Sequence, residues 1–333
     1  MIDFKKSKKG YLEFLSKYEN APTFRKNENV ELGLGEFAVE EIGKDKIILT
    51  RKHSCRNGYN QIVMYESAGD PAVDFKKNDV ADFNRISWRE IPANVSNRFL
   101  SFNNIPIKSG GLVITSPDKN LRKIIYNCMD IPQFRQASSP NKKRFYDITT
   151  ILPVGVPGGR SGKPVQFCGR GITKGFRKSV VLANATKGNQ IQLEKWAESF
   201  YKTTGIRVEI KNYSAQELVK TLFKRPHPYD LVRISFSVIQ PEYDTFFKDF
   251  VVKDGFIDYD LPYLSALRDS MLKTEDDQER TRIAIKMAEN LSSEAVILPL
   301  YQEVRTFYYP ADIKNLFVGR GFTEYPEVAD FRW

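Results

Sequence analysis

Leu100-Ser101-Phe102-Asn103-Asn104 reads as a short apolar strand that runs into a loop and then into Leu121-Arg122-Lys123-Ile124-Ile125-Tyr126-Asn127-Cys128-Met129-Asp130. These two pieces decide how the chain is read. Upstream, Gly33-Leu34-Gly35 forms a turn before two strands, Phe37-Ala38-Val39-Glu40-Glu41-Ile42 and Ile47-Ile48-Leu49-Thr50, joined by Gly43-Lys44-Asp45-Lys46. Strands separated by a tight connection with Gly and Asp predict a hairpin. Gln61-Ile62-Val63-Met64-Tyr65 is a further strand, and 70–77 a short helix that ends before Asn78. Downstream, Pro153-Val154-Gly155-Val156-Pro157-Gly158-Gly159 is dense in the two residues that interrupt regular structure and reads as loop.

From Lys178 the pattern alternates between strand and helix. Ser179-Val180-Val181-Leu182-Ala183-Asn184 is a buried strand. Leu193, Trp196, Ala197, Phe200 and Tyr201 then fall on one stripe of a helix, which Gly205 stops. Ile206-Arg207-Val208-Glu209-Ile210 alternates as a strand, and Ser214-Ala215-Gln216-Glu217 is a capping box opening a helix with Leu218, Val219 and Leu222. Tyr229 to Phe236 is the third strand of this βαβαβ run, which predicts a mostly parallel sheet with right-handed crossovers. Two more helices follow, marked by Leu261, Leu264, Leu267 and Met271, and by Ile283, Met287 and Leu291 after the acidic start Glu275-Asp276-Asp277. Val296-Ile297-Leu298-Pro299-Leu300-Tyr301-Gln302 is the next strand.

This order resembles the family 5 extracellular solute-binding proteins, the peptide-, nickel- and sugar-capturing subunits of bacterial ABC importers. The stretches 100–104 and 121–130 are similar to that family's LxFN and VRxAlxyAiD signature, and Gly33-Leu34-Gly35-Glu36-Phe37 to its GTGPF turn. The run 75–82 resembles its a-l-k-s-G-e-i-D segment, with Asn78 where the family usually has Gly. Gly205-Ile206-Arg207-Val208-Glu209, Tyr229-Asp230-Leu231 and the strand at 296–302 resemble its G-i-x-v-e, y-D-l and iPLyq pieces. Ile313-Lys314-Asn315-Leu316 and Phe331-Arg332-Trp333 are similar to its last two.

The resemblance implies an α/β, two-lobed periplasmic-binding-protein-like fold of type II, with mixed sheets and the N-terminal segment of one lobe missing. Residues 1–32 would lead into lobe I, which 33–104 and 301–333 would form incompletely, and 105–300 would form lobe II. The strands at Phe102 and Tyr301 would be the crossings between lobes, around a cleft that closes on ligand by hinge motion. Ligand contacts would then come from Ser101, Phe102, Asn103, Asn104, Phe236, Ser237, Gln240, Tyr301 and Gln302. In the family's peptide binders a Trp follows y-D-l and an Asp after it holds the ligand amine; here those positions are Phe236 and Ile239. The aromatic wall is kept and the charged anchor is not, and an unpaired buried ammonium would cost several kcal/mol. The implied ligand is a short peptide or another small polar solute, the implied partner an ABC permease, the implied place periplasmic or extracellular, and the implied state a monomer.

Composition fits this reading. The chain has 333 residues, enough for about two domains, with 41% hydrophobic and 28% charged residues, as in an ordinary globular protein. No apolar run reaches the ~18 residues of a membrane span, and Met1 to Lys9 is basic with no apolar segment after it, which is not a signal peptide. This motivates a second expectation, an intracellular sensor or interaction protein with the same fold. The net charge is +10, and 141–178 holds nine basic residues against Asp147 alone, with Phe145, Tyr146, Phe167 and Phe176 among them. Such a segment could attract nucleic acid, anionic lipid or an acidic ligand; it carries no nucleic-acid module, so a solvated loop is expected and polyanion binding is the alternative.

Cys55, Cys128 and Cys168 are odd in number and far apart, and read as reduced, buried thiols. Gly33-Leu34-Gly35-Glu36-Phe37-Ala38 fits G-x-G-x-x-A, but a strand follows where a dinucleotide site needs a helix N-terminus. Gly162-Lys163 lacks the rest of a phosphate loop, since positions 157 and 164 are proline. His53 and His227 belong to no metal or triad pattern, and no G-x-S-x-G elbow exists. No metal, cofactor or catalytic residue is expected, and the chain reads as a binder.

Overall fold

The computed structural model describes residues 23–27, 30–33, 37–44, 46–53, 60–65, 99–105, 107–140, 145–169, 178–186, 188–237, 243–252 and 255–310. The readings at 70–77, Ile239, Gln240, Cys55, 313–316 and 331–333 lie outside them. The strands are β1 (Thr23–Asn27), β2 (Val30–Gly33), β3 (Phe37–Ile42), β4 (Lys46–Arg51), β5 (Gln61–Tyr65), β6 (Phe99–Asn104), β7 (Lys108–Ile114), β8 (Phe145–Tyr146), β9 (Lys178–Asn184), β10 (Ile206–Asn212), β11 (Leu231–Ser237), β12 (Ile297–Glu303) and β13 (Arg305–Pro310). The helices are α1 (Lys119–Cys128), α2 (Ile131–Ser138), α3 (Gln190–Thr204), α4 (Ala215–Leu222), α5 (Tyr243–Phe247), α6 (Pro262–Lys273) and α7 (Asp277–Ser293).

A six-stranded sheet in the order β10-β9-β11-β7-β12-β8 organises the second half of the chain. β9 pairs in parallel with both β10 and β11, as the βαβαβ reading requires. β7, β12 and β8 join antiparallel, so the sheet is mixed and not mostly parallel. The sequence rule failed here because β7 and β12 bring in strands from outside the repeating run. Both are buried almost throughout, which requires cover on both faces.

That cover is two helical layers. Leu112, Ile114, Leu182, Leu231 and Leu298 face the core built with α1, α2 and α3. Val113, Ala183, Val232 and Ile297 face the other, built with α5, α6, α7 and the loop residues Ile151, Leu152 and Val156. The alternation is the period-2 pattern of a strand read from both sides.

Local chemistry fixes the helix ends. Asp118 Oδ1 accepts from Asn120 and Leu121 N–H at 3.0 and 3.1 Å, and Asp130 Oδ1 from Gln133 N–H at 3.0 Å, so the aspartate ending the 121–130 signature is the cap of α2. The Ser214–Glu217 capping box forms, and Gly205 ends α3 at φ 73°. Leu193, Trp196, Ala197 and Phe200 are buried as expected. Tyr201 departs from the expected stripe and is exposed, as is Val219 on α4, which buries none of its residues.

β3 and β4 form the expected hairpin, with Gly43 N–H donating to Lys46 O at 2.8 Å, and β5 adds a third strand. β1 and β2 form a hairpin that the sequence reading left unassigned. β6 pairs antiparallel with β13, setting Phe102 opposite Phe307. β6 leads through 105–107 into β7, and β12 continues through Val304 into β13, so this two-stranded ribbon extends two neighbouring strands of the large sheet. Among the described residues no helix is long and apolar enough to cross a membrane.

Cys128 and Cys168 are joined by a disulfide, which corrects the expectation of reduced thiols for these two. The spacing of three cysteines does not say which pair meets; the chain folds back so that 163–168 lies against the end of α1. Gln166 Nε2 donates there to Tyr126 O at 2.6 Å and Met129 O at 3.0 Å.

Candidate functional site

β9 ends at Asn184, where the connections around it diverge. The helix following β9, α3, packs on one face of the sheet, while α4, which leads to β11, lies on the other. Open α/β sheets form crevices at the carboxyl ends of strands where successive connections part in this way. A cavity of about 180 Å³ sits there, lined by Asn184, Ala185 and Thr186 after β9, by Leu193 of α3, Leu218 of α4, Arg233 of β11, and Phe134 and Ser138 of α2.

A polar framework holds its wall. Asn184 Nδ2 donates to Asn189 Oδ1 at 2.9 Å and Asn212 Oδ1 at 2.8 Å, and Asn184 Oδ1 accepts from Thr186 N–H at 3.1 Å. Asn189, fully buried, donates through Nδ2 to Ser138 O at 3.1 Å. These bonds tie the ends of β9, β10 and α2 and the start of α3 into one rigid rim.

Arg233 supplies the charge. Its Nη2 donates to Thr186 Oγ1 at 3.0 Å, and its Nη1 to Ser138 O at 3.4 Å and to Ser139 Oγ. Ser138 ends α2, whose carbonyls carry the negative end of the helix dipole, so the cation is well placed. Among the described residues it has no carboxylate partner. A guanidinium has five N–H groups in a planar fork, and these contacts leave some of them to spare. Such a fork at a polar cavity suits a carboxylate or phosphate oxygen pair. The volume is below the roughly 300–1,000 Å³ of drug-sized pockets, so the cavity suits one end of a solute and not a whole oligopeptide.

The residues expected to bind ligand fall elsewhere. Phe236 is 8% exposed and packs with Phe246, Phe250 and Phe256 at 5.2, 5.8 and 5.9 Å between ring centroids. Tyr301, 3% exposed, lies in the other core, its ring against Gly110 and 5.0 Å from Phe145. Burial raises its hydroxyl above the usual tyrosine range. Gln302 is fully buried, and its side-chain amide accepts from Val154 N–H at 2.8 Å and donates to Val154 O at 2.9 Å, fastening the Pro-Gly loop to β12. These three side chains are buried. Tyr301, the expected crossing, pairs with Gly110 in the six-stranded sheet, and the chain passes through Val304 into β13.

Ser101, Phe102, Asn103 and Asn104 occupy β6, opposite Tyr308, Phe307, Thr306 and Arg305. Ser237 closes β11, opposite Lys108. Sequence reasoning missed Arg233, Asn184, Thr186 and Ser138; the available signal was an arginine inside the apolar strand Leu231-Val232-Arg233-Ile234.

The comparisons concern the fold. No family model matches the sequence, and no curated protein does. Solved structures do match. A dipeptide binding protein from Pseudoalteromonas sp. SM9913, in complex with Met-Leu, superposes with TM-score 0.64 at 14% identity, over 90% of this chain and 64% of its own. NikA from Brucella suis, in complex with Fe(III)-EDTA, gives 0.70 at 15%, over 90% and 68%. The ABC transporter substrate binding protein CtaP from Listeria monocytogenes gives 0.72 at 16%, over 91% and 66%. The chain thus spans about two thirds of the length of the structures it matches. The fold is mixed α/β, that of the two-lobed periplasmic binding proteins.

Proposed function

We propose that this chain captures a small polar solute, a short peptide in the first instance, as the substrate-binding component of an ABC importer. The observation that carries the reading is the fold likeness over nine tenths of the chain to binding proteins described with a dipeptide, a chelated metal and ABC transport. The Arg233 cavity supports it, because a peptide or amino acid carries a carboxylate that the free guanidinium donors would pair. The Cys128–Cys168 disulfide supports a place outside the cytoplasm, where such bonds persist. In this reading the β6–β13 ribbon joins lobe I, from 33–104 and the chain after Val304, to lobe II. Ser101, Phe102, Asn103, Asn104, Ser237 and Gln240 would then border the gap.

Mass spectrometry of solute co-purifying with the protein, beside a thermal-shift screen of short peptides, sugars and nickel salts, tests this. A ligand at about 100 times its Kd stabilises the folded state by roughly 2.7 kcal/mol, an easily read shift. A peptide is expected to produce it. No shift with any of the three classes, and no bound solute, would overturn the transport reading.

A further inference from the structure

Segment 163–168 is held from below and apolar above. Cys168 is bonded to Cys128, the Gln166 amide donates to the carbonyls of Tyr126 and Met129, and Phe167 N–H donates to Asn127 Oδ1 at 3.1 Å. Residues 166 and 168 therefore face the end of α1, and their alternates face away. Val165 is 70% exposed and Phe167 72% exposed, more than any other large hydrophobic among the described residues. The anchoring is done by Gln166 and Cys168, so nothing in the packing requires 165 and 167 to be apolar. Two fixed apolar side chains standing in water are a preorganised contact, with no loop ordering left to oppose it.

Basic residues precede them in the chain and lie along α1, with the exposed carboxylate of Asp130 next to Met129. Lys163 and Arg160 precede the pair and are exposed, and exposed Lys123 lies one helical turn before Asn127 on α1. None of the three forms an ion pair among the described residues. Two side chains of this size offer an area on the order of 200 Å², well short of the ~800 Å² per partner of a stable protein interface. Shallow insertion between headgroups needs no such area, and anionic headgroups complement the lysines and arginine. We infer that segment 163–168 is a docking tip for a bilayer surface carrying anionic lipid, with Val165 and Phe167 entering the headgroup layer and Lys123, Arg160 and Lys163 resting on it. This does not depend on which solute the chain binds.

Co-sedimentation of the full chain with phosphatidylglycerol–phosphatidylcholine vesicles and with phosphatidylcholine vesicles, at low and high salt, tests it. The protein is expected to partition severalfold more into the anionic vesicles, and partly to survive high salt. The V165S/F167S double variant should lose most of that binding with an unchanged melting temperature, because both side chains already lie in water. Binding undiminished in this variant would put the contact on the basic residues alone and overturn the inference. So would equal binding to both vesicles, and so would binding to neither. Should the double variant melt lower, Phe167→Trp replaces it. A blue shift of its added emission on anionic vesicles is expected, and no shift counts against the tip.

Discussion

Single buried groups decide how the strands of the large sheet meet. Asp230 stands at the start of β11, where its Oδ2 accepts from Val181 N–H at 2.8 Å. Burial pushes its carboxyl above the usual range, helped by nearby Asp258 and only partly offset by the Val181 bond. A carboxyl that holds its proton more firmly folded than unfolded stabilises most at pH below the ordinary ~3.9, and that contribution is lost as pH rises through the raised folded value. Asp230→Asn keeps an acceptor for Val181 and removes the half-buried charge. It should melt at or above the wild-type temperature at neutral pH, with the gap closing toward pH ~4. Asp230→Ala leaves the Val181 N–H without its partner and should cost about 1–3 kcal/mol. An Asn variant melting well below wild type at neutral pH would show the charge itself to be needed. Gly110 is equally particular: a Cβ there would lie 2.6 Å from the Tyr301 ring. Gly110→Ala should cost about 1–3 kcal/mol by overpacking, and clearly less when Tyr301 is Leu, where the ring is gone. Equal costs in the two backgrounds would exclude the ring as the obstacle.

At the scale of elements, the Cys128–Cys168 bridge closes a loop of 40 residues that contains β8 and the Pro-Gly loop. Loop-closure entropy gives about 4 kcal/mol for such a length. Cys128→Ser should therefore unfold at distinctly lower denaturant than wild type, and dithiothreitol should bring wild type to the variant's midpoint; a midpoint insensitive to reductant would show that the bridge carries no stability. What was legible in the sequence was local. The hairpin at Gly43, the capping box at Ser214, the stop at Gly205 and the helices α6 and α7 each rest on residues a few positions apart. What was not legible depends on distant partners. β7 and β12 meet although Ser109 and Gln302 lie far apart in sequence, and nothing in either strand announces the other. The cavity escaped for the same reason, being assembled from the ends of α2, β9 and α3, from α4 and from the middle of β11. The residues expected to touch ligand were serine, aromatic and amide side chains on or near strands, and Phe236, Tyr301 and Gln302 among them are buried.

For the whole molecule, the arrangement is a rigid mixed sheet with a ribbon leaving it through two adjacent strands, and a small charged cavity at the carboxyl end of β9. If the chain is the binder proposed above, it would close on its solute only as far as the solute's differential affinity for the closed state allows. One strong contact placed on the rigid sheet is therefore worth more than several on the ribbon. Arg233 is a group on that sheet with donors to spare. If it holds a solute carboxylate, removing its head should cost a charge-assisted bond, about 1.5–3 kcal/mol, or roughly 10- to 150-fold in Kd. The measurement is calorimetric titration of a peptide found in the thermal screen, and of the same peptide as its C-terminal amide, against wild type and Arg233→Met. Wild type should prefer the acid by about that factor. Arg233→Met should bind acid and amide alike, and both weakly. Because Arg233 also caps α2 through Ser138, the variant's own melting temperature should fall somewhat. That loss alone would weaken acid and amide equally and leave the preference in place, whereas only loss of the carboxylate contact erases it. A variant that still prefers the acid would remove Arg233 from the solute's site and leave its role with α2.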